Sequence, residues 1–169
     1  MSDPHGMQFN DNSPRALISL LEHHGLSLKK RWGQNFMIDP NARRKILDAL
    51  GDVSGRQVWE IGPGLGAMTR GLLDRGANVV VLEIDYGLAG VVASRFEEWG
   101  DAFALHMGDA AESWRTLRDK RGAPDCLLGN LPYSTASRIL GSIIEGGLAV
   151  SRMVITVQKE AAQRITARQ

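Results

Sequence analysis

The chain has 169 residues, with 43% hydrophobic and 23% charged side chains, enough for one domain with a real hydrophobic core. Its formal net charge of +1 excludes a global basic field, so any nucleic-acid surface must be a local patch. The single cysteine, Cys126, excludes an internal disulfide and reads as a small buried hydrophobe, in keeping with a reducing cytosol.

From the start, Met1 to Asn12 is polar, lacks a signal-peptide core and is expected to be disordered. Residues 13–55 read as an N-terminal helical segment. Ser13 caps a helix from Pro14 to His24 that Gly25 ends. A basic patch, Lys29-Lys30-Arg31, runs into Trp32-Gly33-Gln34-Asn35-Phe36. It reads equally as a solvated charge run or as a phosphate contact with Trp32 stacking on RNA. Asp39 caps a second helix with Pro40 in its first turn, and Ile46, Leu47 and Leu50 form its apolar stripe.

From residue 56 the pattern alternates. Strands are predicted at Val58–Ile61, Asn78–Ile84, Phe103–His106, Ala123–Gly129 and Ser151–Val157. Helices fall at Met68–Arg75, near Leu88–Trp99, at Ala111–Lys120, at Ser137–Glu145 and from Glu160 onward. Strands that are apolar throughout, separated by helices, predict a parallel sheet covered on both faces: an α/β, Rossmann-like, doubly wound fold. Residues 56–169 would be this nucleotide-type domain, and the helical ending at Ala167-Arg168-Gln169 reads as a truncation before the last strands. No apolar run is long enough to span a membrane, and the four scattered histidines predict no metal.

The central motif is Glu60-Ile61-Gly62-Pro63-Gly64-Leu65-Gly66, after a strand and opening a helix. A dinucleotide loop reads G-x-G-x-x-G; here the third glycine comes one residue early, which disfavours a pyrophosphate cradle. The acid before the loop, Glu60, favours a ligand carrying an ammonium group, such as S-adenosylmethionine. Glu83 ends the second strand 21 residues after Gly62, where an acid can accept from both ribose hydroxyls. Asp85 reads as a helix cap. Asp109, in Gly108-Asp109-Ala110, reads alone as an N-cap; at the carboxyl edge of the sheet it is also a candidate acceptor for an adenine amine.

Asn130-Leu131-Pro132-Tyr133 follows Gly129 at the end of the fourth strand. An aromatic amine is a poor nucleophile because its lone pair is delocalised into the ring. Two acceptors on its hydrogens, the Asn130 side-chain oxygen and the Leu131 carbonyl, would draw that pair out of conjugation. Tyr133 would stack on the base. Positioning then supplies most of the catalysis, and no strong general base is needed.

Together, Gly33-Gln34-Asn35-Phe36, Glu60 to Gly66, Gly108-Asp109-Ala110 and Asn130 to Tyr133 resemble the ribosomal RNA adenine dimethyltransferase family, whose class I methyltransferase fold carries S-adenosylmethionine. The resemblance runs from about Leu28 to Arg164 and includes Val157-Gln158-Lys159-Glu160. It implies that Asn35 and the backbone at Met37 contact the cofactor, with Gly62 and Gly64 against its methionine part. Glu83 would hold the ribose and Asp109 the adenine. Asn130 would touch both cofactor and target amine. It further implies two adjacent adenines of small-subunit RNA, or a pre-subunit particle, as substrate for a cytoplasmic monomer.

The sequence departs from the family's pattern in three places. Ser134-Thr135-Ala136-Ser137 stands where Asn-Ile-Ser is common, Met37 where Leu is usual, and the family's small helical C-terminal domain is absent. That last departure predicts a stretch that binds cofactor without modifying RNA. The alternatives are the related large-subunit rRNA adenine methyltransferase of macrolide resistance, a non-catalytic RNA-binding relative, and an NAD-dependent oxidoreductase.

Overall fold

A computed structural model of the chain describes residues 9–26 and 37–157, and the side chains of Tyr133 and Ser134 fall outside that description. Asn35 and the patch from Lys29 to Phe36 lie outside the described residues, as does the segment from Gln158 onward.

Among the described residues five parallel strands form one sheet: β1 (Gln57–Ile61), β2 (Asn78–Glu83), β3 (Phe103–Met107), β4 (Cys126–Asn130) and β5 (Arg152–Thr156), in the order β3-β2-β1-β4-β5. The central strands β1, β2 and β4 are buried on both faces, as uninterrupted apolar strands require, while the edge strands β3 and β5 are only partly covered. The pleat divides β2 between two cores. Val79 and Val81 join Val58, Leu72, Val92 and Phe96 on one face; Val80 and Leu82 join Trp59, Trp114, Leu127 and Ile143 on the other. The α/β doubly wound architecture read from the sequence is thus observed. The chain winds outward from β1 to β3, then returns across β1 to β4. That reversal opens a crevice at the carboxyl ends of β1 and β4, where such sheets bind ligands.

Among the described residues six α-helices pack around the sheet: α1 (Pro14–His23), α2 (Pro40–Ala49), α3 (Ala67–Leu73), α4 (Tyr86–Phe96), α5 (Ala110–Arg121) and α6 (Tyr133–Glu145). Ser13 and Asp39 cap α1 and α2 by accepting from Ala16 N and Asn41 N, with Pro14 and Pro40 in the first turns. These two helices pack into the same body as the sheet. Leu47 and Leu50 join the first core, while Leu17 and Leu21 pack with Leu65, Leu88 and Val91.

The structure corrects four expectations. Residues 9–12 belong to the stretch expected to be disordered, but they are packed against the body of the chain. Phe9 packs on the α1 cluster beneath the Arg95 guanidinium, 4.2 Å from its centroid, and Asp11 pairs with Arg95 at 3.0 Å. Helix α4 ends at Phe96 rather than near Trp99, passing into a 3-10 segment kinked at Gly100 (φ 52°). Strand β4 begins at Cys126, because Pro124 has no N–H for a ladder and Asp125 turns its carboxylate to accept from Gln57 N at 2.8 Å. Helix α6 begins at Tyr133, four residues early: Pro132 sits in the N-cap position, and burial of Ala136, Ile139 and Ile143 overrides the weak helix preference of Ser134-Thr135.

Candidate functional site

The parallel register sets the site. Ile61 pairs with Leu82 on one side and with Gly129 on the other, so the glycine loop, Glu83 and Asn130 leave the sheet at nearly the same level. A single pocket takes its walls from this edge: Gly62 to Leu65, Leu82 to Asp85, Gly108 to Ala110, and Asn130 to Pro132. Thr135, Arg138 and Ile139 of α6 line it from one flank, and Asp11, Leu17 and Met37 from the other.

In the loop, Gly62, Gly64 and Gly66 have φ of 67°, 60° and 87°, the left-handed region that only glycine enters cheaply. Gly66 has a second reason. A Cβ there would lie 2.4 Å from Cε2 of the fully buried Phe96, so α3 can approach α4 only without a side chain. The loop is closed by Gly62 N donating to Leu82 O and Gly66 N to Pro63 O, both at 2.9 Å.

Glu60, expected to meet a ligand ammonium directly, does not line the pocket. The pleat turns it to the face of Val58, beneath the loop, where it is 2% exposed and the Thr69 hydroxyl donates to its Oε2 at 2.6 Å. Burial raises its pKa to about 7; the Thr69 bond opposes that rise and the nearby Glu83 charge adds to it. Glu60 therefore ties β1 to α3 rather than facing the pocket.

Glu83 does line it. Its Oε1 accepts from Ile84 N and Asp85 N, both at 2.8 Å, and no hydrogen bond among the described residues engages Oε2. Burial lifts its pKa above the usual carboxylate value, against the pull of those two backbone bonds. Asp85 caps α4 by accepting from Gly87 N and Leu88 N, as expected. Asp109 caps α5 through Ala111 N at 2.9 Å and also borders the pocket; its Oδ2 pairs with Arg138 at 2.6 Å.

Asn130 ends β4, and its Oδ1 accepts from the Thr156 hydroxyl at 2.7 Å. Leu131 is buried, with its N–H donating to Thr156 O at 3.1 Å, and Pro132 leads into α6 with Tyr133 as the first helical residue. The structure thus brings Met37, Gly62, Gly64, Glu83, Asp109, Asn130, Leu131 and Pro132 around one pocket.

Sequence reasoning missed Asp11, Arg138 and Thr156. Asp11 sat in a stretch read as disordered. Arg138 and Thr156 belong to no local motif, and only the approach of α6 and β5 brings them in. Of the carboxylates among the described lining residues, Asp11 is paired with Arg95 and Asp109 with Arg138, which leaves Glu83 and Asp85 as the acids with no ion pair among the described residues. That balance suits a cationic ligand and disfavours a pyrophosphate. The described residues hold no cluster of potential metal ligands, and no described helix is long and apolar enough to cross a membrane.

Known proteins resemble this chain in sequence and in fold. The chain is 43% identical over 160 residues to a ribosomal RNA small subunit methyltransferase A of Treponema denticola, covering 94% of this chain and 55% of that one. It is 35% identical over 162 residues to the protein of the same name from Borreliella burgdorferi, covering 96% and 56%. The chain therefore spans about half the length of these relatives. A crystal structure of a dimethyladenosine transferase from Plasmodium falciparum matches with a TM-score of 0.65 at 27% identity, over 77% of this chain and 46% of that one. The 23S rRNA methyltransferase ErmE matches in fold with a TM-score of 0.64 at 24% identity, over 78% and 51%. With residues 25–169 matching the family described as ribosomal RNA adenine dimethylase, on the class I methyltransferase fold seen here, the chain belongs to that family.

Proposed function

We propose that this chain is the cofactor-binding and acceptor-positioning part of an S-adenosylmethionine-dependent methyltransferase that dimethylates adenine amines in small-subunit ribosomal RNA. The observation that carries it is the convergence of Glu83, Asp109 and Asn130-Leu131 on one acidic pocket at the switch point of the sheet. The chemistry of the donor set fits the cofactor: an unengaged carboxylate oxygen on Glu83 for ribose hydroxyls, Asp109 for an adenine amine, and net negative charge for a cationic ligand. When bound, S-adenosylmethionine supplies an electrophilic methyl group on a positively charged sulfur.

The chain's own residues do the rest. Glycines 62 and 64 let backbone approach the ligand without side chains. Asn130 and the Leu131 carbonyl accept from the target amine, holding its lone pair out of the ring. Leu131, Pro132 and Ile139 give that corner an apolar lining that excludes water. The small-subunit target rests on the printed names of the relatives; the resemblance to ErmE is one of fold alone.

Calorimetric titration of the chain with S-adenosylmethionine, and separately with NAD, tests the pocket. Saturable heat with the first alone is expected, and with NAD alone the reading fails. Labelled methyl transfer to small-subunit RNA or its pre-subunit particle, but not to large-subunit RNA, is the expected substrate preference.

A further inference from the structure

Beyond Asn130 and Leu131 themselves, something must hold them. Both acceptor groups belong to residues at the carboxyl end of β4, where the geometry of a carboxamide depends on what bonds it in place. The anchor comes from the neighbouring strand. In the parallel register Asn130 lies opposite Thr156, the last residue of β5. The Thr156 hydroxyl donates to Asn130 Oδ1 at 2.7 Å, while the Thr156 carbonyl accepts from Leu131 N at 3.1 Å. A second acceptor for that hydroxyl, Gly129 O, lies at 3.5 Å, too far to compete with the shorter bond. One residue thereby grips the side chain of Asn130 and the backbone of Leu131 together. The hydroxyl identifies the oxygen end of the carboxamide, and the backbone bond sets the plane of the Asn130–Leu131 peptide and the direction of the chain into Pro132.

We propose that Thr156 is a positioning residue for the acceptor amine: it fixes the two groups that meet the target nitrogen, without touching the target itself. This rests on the reading of Asn130 and Leu131 as amine acceptors. Only Ser also offers a β-hydroxyl of this reach, and Val, of nearly equal volume, has none. The backbone half of the grip survives any substitution, so the experiment isolates the hydroxyl.

The test compares wild type, Thr156→Val and Thr156→Ser in single-turnover methyl transfer to the small-subunit RNA particle, with cofactor affinity measured calorimetrically beside it. Thr156→Val is expected to lower the transfer rate roughly 10- to 100-fold, the usual effect of removing a group that orients a reacting ligand, with cofactor affinity unchanged. Thr156→Ser is expected to restore most of the rate. Equal rates for wild type and Thr156→Val, or equal losses in the two variants, overturn the proposal. A wild-type chain that binds no S-adenosylmethionine overturns the functional reading instead, whereas one that binds it without transferring a methyl group leaves that reading standing. The positioning is then judged by the Asn130 side-chain amide signals in 15N spectra: moved by Thr156→Val and kept by Thr156→Ser if the hydroxyl holds the carboxamide, unmoved by either if it does not.

Discussion

The Thr69 hydroxyl donates a 2.6 Å hydrogen bond to Glu60, and both side chains are buried, at 0% and 2% exposure. This pair pins the start of α3 to the end of β1 directly beneath the glycine loop. It also stores a pH dependence. With the folded pKa raised from 4.5 to about 7, the native state holds a proton that the unfolded chain has released, so stability falls as pH climbs through that interval. Glu60→Gln removes the titration while keeping an acceptor for Thr69. The variant should match wild type in acid and exceed it above neutrality by on the order of 3 kcal/mol. Urea unfolding of both proteins across that pH range measures it; parallel curves would show that Glu60 does not titrate in this way.

Glu83 is 5% exposed, and its Oε1 is spent on two backbone amides that shape the turn into α4. Removing the carboxylate leaves ligand hydroxyls unpaired. Glu83→Ala is expected to weaken S-adenosylmethionine binding by about 1–3 kcal/mol. An unchanged dissociation constant would remove Glu83 from the site.

Asn130 lies at the end of β4, where it borders the pocket. Asn130→Ala deletes an acceptor needed at the reacting nitrogen and should cost at least about a hundredfold in transfer, with much of the cofactor affinity spared. Undiminished turnover in a single-turnover assay would exclude the role.

Gly66 faces the Phe96 ring, and Phe96 is fully buried and cannot retreat. Gly66→Ala combines a left-handed alanine with overpacking, an expected loss of roughly 2–5 kcal/mol. Adding Phe96→Leu should recover part of it. Thermal unfolding of the single and double variants reads the coupling directly, and additive effects would show that the ring is not the obstacle.

Much of this was legible before any coordinates. Ser13, Asp39 and Asp85 cap the helices they were expected to cap, because an Asx or Ser side chain meets its own backbone within three residues. Asp109 was read in two ways from sequence: the structure shows the cap, through Oδ1, and places the same residue on the pocket wall, where its role toward an adenine amine is part of the proposal. Glu60, two residues before Gly62, was expected at the ligand; the strand pleat, which the motif does not encode, turns it beneath the loop onto Thr69. Asp11 was missed because a short polar terminus carries no periodicity. Its order comes from Arg95, 84 positions away, whose guanidinium also donates to Leu65 O in the glycine loop.

The sequence by itself determined the strands, the helix caps, the glycine loop and the residue types that its chemistry needs, since these are set by contacts within a few positions along the chain. The tertiary structure alone decided that Arg95 straps Asp11 to the loop, that Arg138 of α6 reaches Asp109, and that Thr156 of β5 holds Asn130. Parallel pairing of β4 and β5 brings Thr156 to Asn130, while the packing of α1 against α4 and of α6 beside α5 brings the other two pairs together, joining residues far apart in the chain.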